Sequence, residues 1–195
     1  MTKLFDKNDS FYYAPEVFGL VHYRVAAILG AILGITSLIS VIICFFTFQN
    51  SYGITGYWSS AFVLLIGVTF VITTLLMIYG IISESPKFIY PQMAILQIET
   101  IILILIAIFS IFSMSCGISV TNYIFSFILN VEKAEKYLGP IWPFNISAIT
   151  FVGALACVWF QVIVKGAHEY LLDKKYFEAL EGPGNVMELK HNRLK

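Results

Sequence analysis

One carboxylic acid, Glu99, lies inside an otherwise apolar stretch of this 195-residue chain, where a charged side chain could carry a proton or a cation. It is about eight residues inside the stretch, or ~12 Å along a helix. An acidic side chain near the bilayer centre costs roughly 2.5 to 3.5 kcal/mol, so Glu99 must be protonated, paired or turned toward a polar cavity. Three roles are therefore open: a packing residue that accepts or donates a hydrogen bond, a proton or cation relay, and an ion pair.

We favour the packing role, because a relay normally contains more than one ionisable group within the membrane and this chain has one. Polar side chains expected at a similar depth could bond to Glu99, and two basic side chains could reach it from the membrane surface. The polar candidates are Gln97, Thr73, Thr74 and Gln161, and the basic candidates are Arg24 and Lys165.

Catalytic and metal-binding patterns are absent from the sequence. It has no HExxH motif, P-loop, GxSxG elbow, paired membrane aspartates or Cys-x-x-Cys pair, and His22, His168 and His191 are too scattered to suggest a metal set. We therefore predict a protein that is not an enzyme, with no catalytic residue, cofactor or metal. Cys44 and Cys116 could form a disulfide on the outer side, but buried free thiols are the preferred interpretation.

Four long apolar stretches must position these side chains: 25–48, 59–82, 93–114 and 144–164. A helix needs ~20 residues to cross the ~30 Å hydrocarbon core. Hydrocarbon cannot hydrogen-bond a peptide group, and the stretches lack the alternation of barrel strands, so each is predicted to be a helix. The predicted fold class is all-α, a four-helix transmembrane bundle, and a hydrophobic content of 58% agrees.

The segments between and after the spans are too short for a further domain, so residues 1–180 are predicted to form one membrane domain, followed by a short cytoplasmic tail, 181–195. Residues 165–180 are expected to continue the fourth helix until Gly182, Pro183 and Gly184 stop it.

The third connection contains an apolar segment, Ile118–Val131, that is too short to cross the bilayer. We predict that it is an interfacial helix, and an outward extension of the third span is the alternative. Its apolar face would consist of Ile124, Phe125, Ile128 and Leu129.

Ten of the twelve Lys and Arg residues fall on one side of a four-span chain, and the positive-inside rule then places both termini in the cytoplasm. Several residues on this side are candidates for contact with a partner, although orientation and contact with lipid headgroups are the preferred explanation of the basic ones. The candidates are His22, Arg24, Lys165, Tyr170, Lys174 and Lys175.

Small residues repeat every four positions in the first span, at Ala26, Gly30 and Gly34. This spacing lets a neighbouring helix approach closely. We favour packing within the chain over a homo-oligomer interface, which stays open.

The segment His22–Gly30 resembles the His-x-Arg start of the first helix in the lysosomal-associated transmembrane protein family. Other segments agree in family order: Met77–Gly80, Pro91 with Gln97–Glu99, and Val164–Lys165 with Tyr170, Leu171 and Lys174. The resemblance implies a protein of endosomal or lysosomal membranes that acts through sorting machinery, transporters or receptors.

This chain departs from the family in two places. Phe18–Val21 stands where well-known members have cysteines, and the tail lacks their proline-rich tyrosine motifs. Tyr90–Met93 fits a tyrosine sorting signal by letter, but Met93 enters the third span. The expected function is a binding or regulatory role in membrane trafficking or transport. The partners would be the bilayer and unidentified proteins, not nucleic acid. A small proton- or cation-coupled transporter that uses Glu99 and a tetraspan adhesion or junction protein are the alternatives.

Overall fold

The computed structural model describes residues 10–180, which contain four long apolar helices and two short ones, and no strand within that range. The helices are α1 (Tyr23–Tyr52), α2 (Tyr57–Ile82), α3 (Tyr90–Cys116), α4 (Ile118–Phe125), α5 (Val131–Leu138) and α6 (Trp142–Leu180). Single 3-10 turns lie at Ser10–Tyr12, Pro15–Val17 and Pro86–Phe88. The four long helices are long and apolar enough to cross a bilayer, so the predicted four-span fold is confirmed and the chain is an integral membrane protein.

The helices include all four predicted spans and extend beyond most of their ends. Hydropathy marks the lipid-embedded part of a helix, whereas capping groups and turns decide where the helix begins and ends. At the start of α1, for example, the His22 side chain accepts a hydrogen bond from the Arg24 amide. The predicted continuation of the fourth span is confirmed, because α6 runs unbroken to Leu180. The predicted tail, 181–195, and its helix stop at Gly182, Pro183 and Gly184 lie outside the described residues.

The third connection forms two helices, so the prediction of a single helix over 118–131 is wrong in its length. α4 ends at Phe125, and α5 begins after Asn130, whose side chain accepts a hydrogen bond from the Lys133 amide at 3.0 Å. Gly117 separates α3 from α4. Its φ of 89° is a conformation that residues with a side chain rarely adopt, and it breaks the helix. The alternative prediction, an outward extension of the third span, is therefore wrong too. Phe125 is buried against Trp142, but Ile128, also predicted on the apolar face, is 46% exposed.

The larger core lies at the end of the bundle where α1 begins and α6 passes its span. It contains Ala27, Met77, Leu96, Val164 and Leu171, which come from all four long helices.

The small residues of α1 face this core. A Cβ on Gly30 would lie 2.6 Å from Cε2 of Phe160 on α6, and one on Gly34 would lie 3.2 Å from Cζ of Phe70 on α2. The small face of α1 is therefore filled by aromatic rings of the same chain.

Candidate functional site: a polar cluster beside the start of α1

A carboxylate in the α2–α3 connection joins two basic side chains, one from the first turn of α1 and one from the extension of α6. Nη1 of Arg24 lies 3.2 Å from Oε1 of Glu84, and Nζ of Lys174 donates to Oε2 of the same carboxylate. Arg24 also donates from Nη2 to the carbonyl of Ile81 at 3.0 Å, and Lys174 lies 3.6 Å from Glu178. Four elements meet at this network: the first turn of α1, the last turn of α2, its connection to α3, and the extension of α6.

The turn after α2 places Glu84 where it can reach both cations. Glu84 has a φ of 54°, an uncommon conformation for a residue with a side chain. The turn folds tightly against α2, because a Cβ on Gly80 would lie 2.9 Å from Cβ of Phe88. The Lys174 hydrogen bond, helped by the charge of Arg24, lowers the pKa of Glu84 and keeps it ionised.

Aromatic rings continue the network toward the N-terminus. The Tyr170 ring lies 4.5 Å from that of His22 and 4.9 Å from that of Tyr12, both edge to face, and Arg24 lies 5.9 Å from its centroid. The hydroxyl of Tyr12 donates to Oδ2 of Asp173 at 3.2 Å. Burial, and then the charge of Arg24, lower the pKa of His22. A neutral imidazole is what the α1 cap requires, since Nδ1 of His22 accepts from the Arg24 amide at 3.2 Å.

Four of the six predicted contact residues meet here, and we call the whole group the polar cluster. It consists of Tyr12, His22, Arg24, Glu84, Tyr170, Asp173 and Lys174.

The other two predicted contact residues lie outside the polar cluster. Lys165 is exposed and 3.8 Å from Glu169, and Lys175 is exposed. Within the polar cluster, Tyr170 is 3% exposed and Lys174 is 8% exposed. Two of the six candidates are therefore buried in the polar cluster, whereas Lys165 and Lys175 are exposed on α6.

The sequence missed Tyr12, Glu84 and Asp173. Their types mark them as polar, but only the approach of distant elements gives them partners.

Glu99 is half-buried in α3, close enough to Cys157 of α6 to interact electrostatically. Among the described residues, no hydrogen bond or ion pair joins it to any predicted partner. Thr73 donates to carbonyls of its own helix, Thr74 donates to Gln92, Arg24 pairs with Glu84, and Lys165 pairs with Glu169. The packing role through a hydrogen bond and the ion pair are both unsupported by these contacts.

Two other polar side chains are buried near the start of α3 and on α6. Gln92 is fully buried and accepts a hydrogen bond from Thr74 at 3.3 Å, while its Nε2 has no partner among residues 10–180. His168 is 5% exposed, stacks edge to face on Tyr90 at 4.8 Å, and also leaves Nε2 unpaired within this range.

The three cysteines are free thiols. No disulfide joins Cys44 and Cys116 in the structure. Both are exposed on the helix surface, so the expectation that they are buried is wrong. Across residues 10–180, no group of three or more His, Cys, Asp or Glu residues could hold a metal ion.

No protein-family model matches the chain, and no solved structure matches it. It is 31% identical to Protein cuti-1 of Caenorhabditis elegans over 176 residues, which cover 89% of this chain and 86% of the relative. The match therefore extends over nearly the full length of both proteins. This integral membrane protein therefore belongs to the family of Protein cuti-1.

Proposed function

We propose that this protein is a non-enzymatic component of endosomal or lysosomal membranes that binds and regulates other proteins in membrane trafficking or transport. Its termini lie in the cytoplasm, and the polar cluster is on the cytoplasmic side. The resemblance to the lysosomal-associated transmembrane proteins and the positions of the basic residues support this assignment.

The contact between two distant motifs of that resemblance is the observation that carries the proposal. His22 and Arg24 belong to the His-x-Arg element, and Tyr170 and Lys174 belong to the segment after the fourth span. Their rings and charges meet through the 4.5 Å contact of His22 with Tyr170 and through the shared carboxylate of Glu84. The two motifs are thus one structural unit, which holds the extension of α6 rigidly against the bundle.

A rigid extension of this kind suits protein binding. Beyond the buried stripe that faces the polar cluster, α6 presents Leu172 and Tyr176 at 46% and 64% exposure, with Lys175 also exposed. We assign the partner-binding surface to these three residues. Lys175 is one of the predicted contact residues, and Leu172 and Tyr176 take the place of the buried Tyr170 and Lys174. Tyr is enriched in protein interfaces and among the residues that contribute most to binding, so the exposed ring of Tyr176 is the expected anchor of this surface.

The test combines localisation with proximity labelling of the full chain in cells. A peroxidase fused to the C-terminus should label a reproducible set of cytosolic or membrane proteins on endolysosomal membranes. The substitutions Leu172→Ala and Tyr176→Ala should remove part of that set without changing localisation. Tyr123→Ala is the matched control, because Tyr123 is 88% exposed on α4. Accumulation at cell contacts would instead favour the adhesion alternative, and an unchanged labelled set would refute the assigned surface.

The transporter remains the second candidate, because Glu99 is a half-buried carboxylate without a hydrogen-bonding partner among the described residues. Proton-coupled flux in reconstituted vesicles should then be lost in Glu99→Gln. If neither form supports flux while Glu99→Gln only changes stability in detergent, the transporter is excluded.

A further inference from the structure

Residues 13–22 form a short hairpin just before α1. Its end residues pair as an antiparallel bridge, and the amide of Ala14 donates to the carbonyl of Val21 at 2.9 Å. The chain reverses over residues 15–20, which we call the tip. The tip is closed by a hydrogen bond in which the amide of Gly19 donates to the carbonyl of Ala14 at 2.9 Å.

The tip displays two large apolar side chains. Phe18 is 91% exposed and Leu20 is 79% exposed. Phe18 has a φ of 57° and is followed by Gly19 at 66°, so the backbone turns sharply and projects the ring outward. Its amide donates to the carbonyl of Pro15 at 3.1 Å, which holds this uncommon conformation. Contact of both side chains with water is unfavourable, so an apolar surrounding would stabilise the tip.

Contacts with α6 show which way the hairpin points. Its base lies beside Tyr170, whose ring is 4.5 Å from that of His22. Near its tip, the carbonyl of Glu16 accepts a hydrogen bond from Nε1 of Trp159 at 3.4 Å. Tyr170 and Trp159 are separated by ~16 Å along the helix axis at 1.5 Å per residue. The hairpin therefore runs along α6 from its extension toward the membrane-spanning part.

This direction places the tip below the charged surface of the membrane. Lys165 is the first charged residue after the apolar span of α6, and its side chain is 63% exposed. Trp159 lies ~9 Å deeper along the helix. Peripheral elements that bind bilayers insert ~5–10 Å into the boundary between headgroups and acyl chains. Val158 and Val162 on the same stretch of α6 are 44% and 42% exposed, as expected of a surface covered by lipid.

We propose that the N-terminal hairpin is a membrane-inserted wedge, and that Phe18 and Leu20 occupy the glycerol and upper acyl region of the leaflet at which α1 begins. The apolar tip is continuous with the lipid-facing surface of α6. The lipid that surrounds α6 can therefore also cover Phe18 and Leu20, without any additional protein. In addition to the four spans, this non-spanning hairpin thus enters one leaflet only. This contact with lipid is independent of which protein the chain binds.

The experiment uses the full chain reconstituted in phosphatidylcholine vesicles, with an environment-sensitive nitrobenzoxadiazole label on a single cysteine. The labelled sites are Phe18→Cys, Leu20→Cys and, as a control on the α6 extension, Tyr176→Cys. The background carries Cys44→Ala, Cys116→Ala and Cys157→Ala. Labels at positions 18 and 20 should emit at shorter wavelength than the label at position 176. Lipids that carry a spin label near the glycerol should quench them several-fold more than lipids labelled near the chain end.

Iodide in the aqueous phase distinguishes the other occupants. Strong quenching of position 18 by iodide, equal to that of position 176, would show a water-exposed tip and overturn the proposal. Protection from both iodide and the lipid quenchers would show that protein covers the tip, and would overturn it too. Circular dichroism of each labelled variant confirms that the helices are intact, as expected because Phe18 and Leu20 are almost fully exposed.

Discussion

Replacement of Glu84 by Gln should destabilise the protein by about 1 to 3 kcal/mol, because it removes the anion shared by two cations. Loss of one partner from a fully buried pair costs roughly 3 to 5 kcal/mol, whereas exposed pairs contribute up to about 1 kcal/mol. The side chains here lie between these limits: Lys174 is 10% exposed, Arg24 is 30% exposed and Glu84 is 38% exposed. In the variant, Glu178 would still lie 3.6 Å from Lys174 and balance part of its charge. The balance is only partial, because the Glu178 side chain is 60% exposed.

The assay is thermal unfolding of purified protein in mild detergent, followed by circular dichroism. For a chain of this length, 1 kcal/mol corresponds to ~2–4 °C in Tm, so Glu84→Gln should lower Tm by about 2 to 12 °C. Glu132→Gln is the matched control, because this exposed carboxylate lies on α5 in the third connection. Glu132 lies in the first turn of α5, where a negative charge contributes about 0.3 to 1 kcal/mol, so Glu132→Gln should lower Tm by less than Glu84→Gln.

The pH dependence supplies a second, independent readout. The pKa of Glu84 is lowered in the folded state, so its ion pairs stabilise the protein fully above the unfolded-state pKa, roughly 4.3. That stability is lost as the pH falls through the lower folded-state pKa. The Tm difference between wild type and Glu84→Gln should therefore shrink below about pH 5. An equal Tm for both proteins at pH 7, or a constant difference down to pH 3, would refute the role assigned to Glu84.

Three further predictions concern packing and thiols. Gly166→Ala should lower stability by about 1 to 3 kcal/mol, because the new Cβ would overlap the Tyr23 ring. Gly153→Ala should be neutral or stabilising, since the nearest contact of its new Cβ is at 3.5 Å. Denaturant titration would distinguish the two variants, and equal effects would contradict the packing of Gly166 against Tyr23. Gln92→Leu should cost less stability than Gln92→Ala, because both remove the unpaired Nε2 but only Leu fills the buried space. A larger loss for Leu would contradict the packing around this side chain. Unfolded protein prepared without reductant should react with three maleimides per chain, since all three cysteines are free thiols, and one reactive thiol would show a disulfide.

The residues of the polar cluster were predicted only in part from the sequence. Of the six predicted contact residues, Lys165 and Lys175 lie elsewhere, whereas His22, Arg24, Tyr170 and Lys174 meet in the structure. Their burial could not be predicted, because it depends on the path of the N-terminal hairpin and on a left-handed turn at Glu84. Glu99 shows the converse, since its depth in α3 followed from spacing, but its lack of a hydrogen-bond partner among the described residues depends on which helix faces it.

By itself, the sequence determined the number of spans and their helical form, because each apolar segment in hydrocarbon must satisfy its own backbone and does so through local hydrogen bonds. It also determined that α6 continues past its span, since helix formation depends on neighbouring residues along the chain. Tertiary structure alone decided that Arg24, at the start of α1, and Lys174, on the extension of α6, share one carboxylate. It also decided that the small face of α1 meets Phe160 and Phe70 and that the hairpin points along α6. These contacts join residues far apart in the chain, and local pattern does not encode which surfaces meet.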